Sequence, residues 1–211
     1  KRILASELPV ETKRQAQELL LWTLVEQDMA PDGLDILENL YPLNQGEAPT
    51  ERGLVAMYEV AVARNLKERA EALRNEYLKL YKDSPLRLRI TLNYALFQSA
   101  QGDARGAAIT LRKLIQEHPK APETNNARLA LASLILDGKL PAHLRKAFPA
   151  PDRLLGQLEG LTLNSDPARK ALVLQLKLAV QASNWMEALA LARKYRTTFP
   201  TGAEAETVTS L

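Results

Sequence analysis

With 211 residues, 46% of them hydrophobic, the chain has the length for one extended domain or two small ones and ample apolar content for a core, which excludes a disordered protein. Aromatics are only 5% while Leu and Ala dominate, a composition that suits helices and predicts essentially no strand. The 28 basic and 25 acidic residues leave a formal charge of +3, too small and too well mixed for a nucleic-acid-binding stripe, and the lack of cysteine removes disulfides, thiolate metal sites and thiol nucleophiles.

The chain opens at Lys1 with neither an initiator Met nor an apolar leader, as a trimmed or mature fragment would, and leaves room for a signal peptide or lipid anchor upstream. Its longest wholly apolar stretches, such as 19–22 and 134–136, fall far short of the roughly 20 residues a transmembrane helix needs. Residues 12–41 read as helix, turn and helix, with the turn at 29–33 shortening the second helix before Tyr41 and Pro42 close it. An aromatic or His followed closely by Pro ends three further helical patterns, at Tyr81 with Pro85, His118 with Pro119 and Pro122, and Phe199 with Pro200. These closures are 40, 37 and 81 residues apart, a period with one unit blurred. Because proline stops one helix and commonly opens the next, each period reads as helix, short turn, helix, proline turn.

Along the chain, the second period places Ala70, Leu73, Tyr77 and Leu80 on one face of its second helix. The clearest period has a first helix over 86–100, a break at 101–103 and a second helix over 104–117. There Gly102 closes one helix in the left-handed conformation and Asp103 caps the next. Ala104, Ala107, Ala108, Leu111, Leu114 and Ile115 share a face, with Ala107 small where two helices approach closely. Between 137 and 166, Pro141, Pro149 and Pro151 cut the pattern into short helices over 142–148 and 152–161, either a repeat without its regular turn or a joint between two arrays. A later helix starts at Asn184, with Glu187 completing a capping-box-like pair, and carries Ala188, Leu189, Ala192 and Tyr195; residues 203–211 start another.

Ala107 and Ala188 each precede Pro119 and Pro200 by twelve residues, Gly102 precedes Ala107 by five, and Ala95 and Ala132 stand at small-residue positions of first helices. These offsets resemble the tetratricopeptide repeat. The resemblance implies an all-α, right-handed α-α superhelix, a solenoid of about five helix pairs with one irregular. Its repeats cover 1–136, the irregular joint 137–165, and a further repeat with the start of a capping or following helix 166–211. The period exceeds the usual 34 residues. The extended turns at 118–123 and 199–204 are similar to those of bacterial envelope tetratricopeptide proteins such as the outer-membrane assembly lipoproteins, which implies a periplasmic or envelope location over a cytoplasmic one.

No chemistry emerges beside this. The only histidines, His118 and His143, are 25 residues apart; His118 sits at the aromatic turn position and His143 reads as solvated. Gly156 and Gly160 form neither a phosphate loop nor a dinucleotide fingerprint. The expectation is a protein without catalytic residues, metal or cofactor. In the implied superhelix the first helices line the concave face, which would present Arg52, Glu59, Arg89, Leu92, Leu96, Asn126, Leu129, Ser133, Lys170, Val173 and Lys177. Such a lining suits another protein, as a peptide or helix with an apolar and partly acidic surface, and no nucleic acid. Val55, Glu59, Leu92 and Leu96 stand where a chaperone-tail clamp needs Lys and Asn, so that activity is not expected. Trp22 and Trp185 are the largest apolar groups; Trp185 follows its cap residue at the very start of a helix, where it is either exposed or, the favoured reading, a packing residue between repeats. The implied function is a scaffold or adaptor of a multiprotein assembly; the alternative is the helical accessory domain of a larger enzyme or regulator.

Overall fold

A computed structural model describes residues 50–158, 160–162 and 165–200, with a few isolated positions before residue 24. Those isolated positions apart, the expected helices over 12–41 and 203–211, and Trp22, lie outside the described residues. The described residues are helical and contain no strand. The chain divides into two compact units, Lys1–Ile90 and Thr91–Leu211.

In the first unit, α1 (Glu51–Ala63) is capped by Thr50, whose hydroxyl accepts from the Gly53 amide, and packs against α2 (Lys67–Leu80). Leu54, Tyr58, Ala61, Ala70, Leu73 and Tyr77 are buried between and around them. Leu80, expected on the same inner face, is 42% exposed: it belongs to the last turn, where the chain leaves the helix pair.

The helix α3 (Arg87–Ala100) runs into the second unit. There follow α4 (Ala104–Glu117), α5 (Pro122–Leu136), the short α6 (Ala142–Arg145) and α7 (Pro151–Gly156), then α8 (Asp166–Gln181) and α9 (Trp185–Thr198). One core gathers Leu92 and Ala95 of α3, Ala107, Leu111 and Leu114 of α4, and Ala127, Leu131 and Ala132 of α5. Leu154, Leu155, Ala171 and Leu174 complete it, so α7 packs against both α5 and α8. A smaller cluster joins α8 to α9 through Leu172, Leu176, Ala188 and Tyr195.

The repeat shows in the backbone as one device used four times. Asn65, Gly102, Gly138 and Ser183 all have positive φ, of 59°, 82°, 69° and 56°, and each ends a first helix. In every case the next amide donates back five residues, as Leu66 to Ala61, Asp103 to Gln98, Lys139 to Leu134 and Asn184 to Ala179, at 2.9–3.1 Å. This is the Schellman closure, which satisfies carbonyls that the helix end leaves without a partner. The small buried residues Ala70, Ala107 and Ala188 follow five positions later. Second helices end alike too: Tyr81, His118 and Phe199 share φ of −114° to −133° and ψ of 57° to 65°, each amide bonding back four residues. His118 thus fills the aromatic turn position, and its carbonyl accepts from the Ala121 amide and the Thr124 hydroxyl.

The blurred period keeps its turn at Gly138. What changes is the second helix, which Pro141, Pro149 and Pro151 replace by α6 and α7, both shorter than the sequence pattern suggests. Arg112 of α4 holds this segment by donating to the Ala147 carbonyl at 3.0 Å and stacking over Phe148 at 5.3 Å.

Candidate functional site

Residues 92, 93 and 96 of α3, 129, 130 and 133 of α5, and 173, 174 and 177 of α8 line one cavity with the same spacing. Since side chains three and four residues apart share a helix face, α3, α5 and α8 each present one stripe to the same side of the second unit. Between these stripes lies a groove of about 600 Å³. All eight residues of the second unit expected to form a concave lining line it: Leu92, Leu96, Asn126, Leu129, Ser133, Lys170, Val173 and Lys177. Leu92, Leu129 and Val173 form its buried floor, at 6%, 4% and 7% exposure, while Leu96 stands in it 46% exposed.

The groove is less positive than its sequence. Lys170 Nζ lies 2.6 Å from Asp166 Oδ2, and Lys177 Nζ lies 2.9 Å from Asp137 Oδ1. Burial raises the Asp137 carboxyl, but hydrogen bonds from Lys177 and Ser133 outweigh it and hold the group below its usual range. The chain Ser133, Asp137, Lys177, with Gln181 donating to the Leu136 carbonyl at 3.1 Å, ties α8 to α5. Lys170 and Arg169 lower Asp166 in the same way. Sequence reasoning did not single out Asn93, Ala130, Asp166, Pro167 or Leu174, which also line the groove. Asp166 was accessible through its i,i+4 spacing to Lys170. The pairing of Asp137 with Lys177, 40 positions apart, has no local signal.

The three remaining expected residues, Arg52, Glu59 and Arg89, belong to the first unit. Arg89 Nη2 lies 3.4 Å from Glu59 Oε1, and Arg52 is exposed on α1. Burial pushes the Glu59 carboxyl up, against the pull of Arg89. His118 and His143 are both exposed, and among the described residues no group of three His, Asp or Glu is placed to hold a metal. Trp185, expected between repeats, is 62% exposed at the start of α9.

A groove lined by successive first helices of a helix-pair array defines a tetratricopeptide-like α-solenoid. Among solved structures, the chain is similar to nearly identical TPR-like repeats of a Podosopora anserina protein assigned as a kinesin light chain. The Q17M form of that protein matches with a TM-score of 0.64 and 16% identity over 95% of this chain and 99% of that one. A second structure of those repeats gives 0.62 and 16% over 92% and 97%. PilW, a type IV pilus biogenesis factor, gives 0.44 and 15% identity over 93% of this chain and 98% of its own. No protein-family model and no curated protein sequence matches the chain.

Proposed function

We propose that the chain is a non-catalytic interaction scaffold whose groove on α3, α5 and α8 takes a segment of another protein. The observation that carries this reading is the apolar floor of Leu92, Leu129 and Val173 with Leu96 left half exposed in the groove, and with the Lys170–Asp166 and Lys177–Asp137 ion pairs along α8. A helix or extended peptide with one or two apolar anchors fits such a floor. Because Lys170 and Lys177 are already paired, acidic groups on the partner add mainly to association rate and specificity, and apolar contact supplies the affinity. An envelope assembly is the setting we infer, supported by the extended turn at His118; fractionation of cells tests it, and recovery of the chain in the cytosol alone would overturn it. No helix among the described residues is long and apolar enough to cross a membrane.

The groove is tested by placing a photo-crosslinking side chain at position 96 and, as a control, at exposed position 113 on α4. A partner captured only from position 96 is then titrated against Leu96→Asp and Lys113→Asp. Leu96→Asp should weaken binding by about tenfold or more, as loss of a central apolar anchor does. Equal weakening by Lys113→Asp would overturn the assignment.

A further inference from the structure

Of the eight large hydrophobic side chains exposed among the described residues, three stand within five positions of one another at the start of α9. They are Trp185, Met186 and Leu189, at 62%, 82% and 50% exposure. Exposed apolar groups scattered singly are ordinary, but a contiguous set that includes a tryptophan marks a contact surface. Successive residues of a helix turn by about 100°, so Trp185, Arg196, Leu189, Arg193 and Met186 fall within one arc of about 100°. Ala188 and Tyr195 lie outside it, on the side buried against α8.

Along the helix axis the arc has two halves, apolar towards the start of α9 and cationic towards its end. Lys194 flanks the cationic half. It, Arg193 and Arg196 are exposed, and none of the three pairs with a carboxylate among the described residues. The one acid of α9, Glu187, lies off the arc and accepts from the Asn184 amide at 2.7 Å. An occupant has to match both halves. A second copy would bring the same cations and no carboxylate to this arc, so like charges oppose that pairing. The arc is also the outward side of one helix, not a cleft between two of the kind that seats the anchors of a peptide. An anionic bilayer meets both halves: its headgroups attract Lys and Arg, and Trp, Leu and Met settle at the acyl boundary, where tryptophan is at ease.

We propose that the outer face of α9 rests on an anionic phospholipid surface, with Trp185, Met186 and Leu189 at the acyl boundary and Arg193, Lys194 and Arg196 among the headgroups. None of these residues lines the groove of α3, α5 and α8, so a failed Leu96 experiment leaves the proposal standing.

The full chain is sedimented with vesicles of phosphatidylcholine alone and of an equal mixture with phosphatidylglycerol. Binding to the anionic vesicles is expected, weakening as salt rises. Neutral vesicles should bind about a hundredfold less, the combined effect of three cations at an anionic surface, and equal binding to both would overturn the pairing with headgroups. In a Trp22→Phe background, emission from Trp185 should shift to the blue and be quenched by lipids brominated on the acyl chain. Binding without that change puts the tryptophan outside the bilayer and overturns the proposal. Trp185→Ser should weaken binding about tenfold, as loss of one buried aromatic does. Arg193→Gln and Arg196→Gln should each cost about fivefold. Lys146→Gln, exposed just after α6, should leave binding unchanged; an equal loss there would mean attraction by net charge alone and overturn the assignment to α9. Absence of binding to either vesicle does the same. A photo-crosslinking side chain at position 189 that captures a second copy, residues 203–211 or another protein, with no vesicle binding, gives the face to that occupant instead.

Discussion

Tyr77 Oη lies 2.7 Å from both Glu51 Oε1 and Ser84 Oγ, and the Ser84 hydroxyl also bonds to the Glu51 carboxylate. Three side chains thereby join the start of α1, the end of α2 and the turn that follows. The bonds from Ser84 and then Tyr77 hold the Glu51 carboxyl below its usual value, so its contribution to stability is present at neutral pH and is lost as pH falls through the lowered value. Burial, together with the neighbouring carboxylate, pushes the Tyr77 phenol up to about 12; that contribution is full below pH 10 and fades between about 10 and 12. Ser84→Ala should therefore cost about 1 kcal/mol at neutral pH. The difference from the parent should shrink as pH drops below the carboxylate range, which thermal melts across pH would show. Ser183 is a second residue with a legible cost, since it holds φ of 56° where glycine is at ease. Ser183→Gly should stabilise by about 0.5 to 1 kcal/mol in urea unfolding, against the added entropy of glycine in the unfolded chain.

Within α4, Ala107 is fully buried and Ala108 beside it equally so, whereas on α9 the corresponding Ala188 is 7% exposed and Leu189 50% exposed. The inner face read for α9 from its sequence is thus only half covered. Ala107→Leu should overpack and destabilise by about 1 to 3 kcal/mol, with a smaller loss for Ala188→Leu. Equal melting temperatures for parent and Ala107→Leu would contradict the close approach. Gly106 tells a related story one position earlier. Its amide donates to Asp103 Oδ1 at 2.8 Å, and a Cβ placed there would lie 2.2 Å from Asp103 Oδ2 and 2.6 Å from Gln98 Nε2. Alanine normally gains about 1 kcal/mol over glycine inside a helix. Gly106→Ala should forfeit that gain, because it displaces the cap and the Gln98 contact, and chemical denaturation measures the result.

At the scale of the molecule, each compact unit is built by neighbour-to-neighbour packing, so local opening need not be global. The helix α5 packs against α4, α7 and α8, while α9 packs against α8. Hydrogen exchange read by mass spectrometry should accordingly find the slowest amides of the second unit in α5 and faster ones in α9. Uniform protection of the two helices would show that the unit opens only as a whole.

The sequence by itself determined the helix pairs and their register. Proline closures, the Gly102 turn, the Asp103 and Asn184 caps and the small residue at 107 act within a few residues of one another, and the structure keeps α4 at Ala104–Glu117 as the periodicity predicts. The same register made eight groove residues legible, since equal spacing on successive first helices puts them on one side. Tertiary structure alone decided what that groove and its surroundings carry. Asp137 reaches Lys177 and neutralises it, and Gln181 of α8 donates to the Leu136 carbonyl. These depend on the angle at which helices 40 residues apart are packed. Charge balance and burial are sums over such non-local neighbours, and no local pattern contains them.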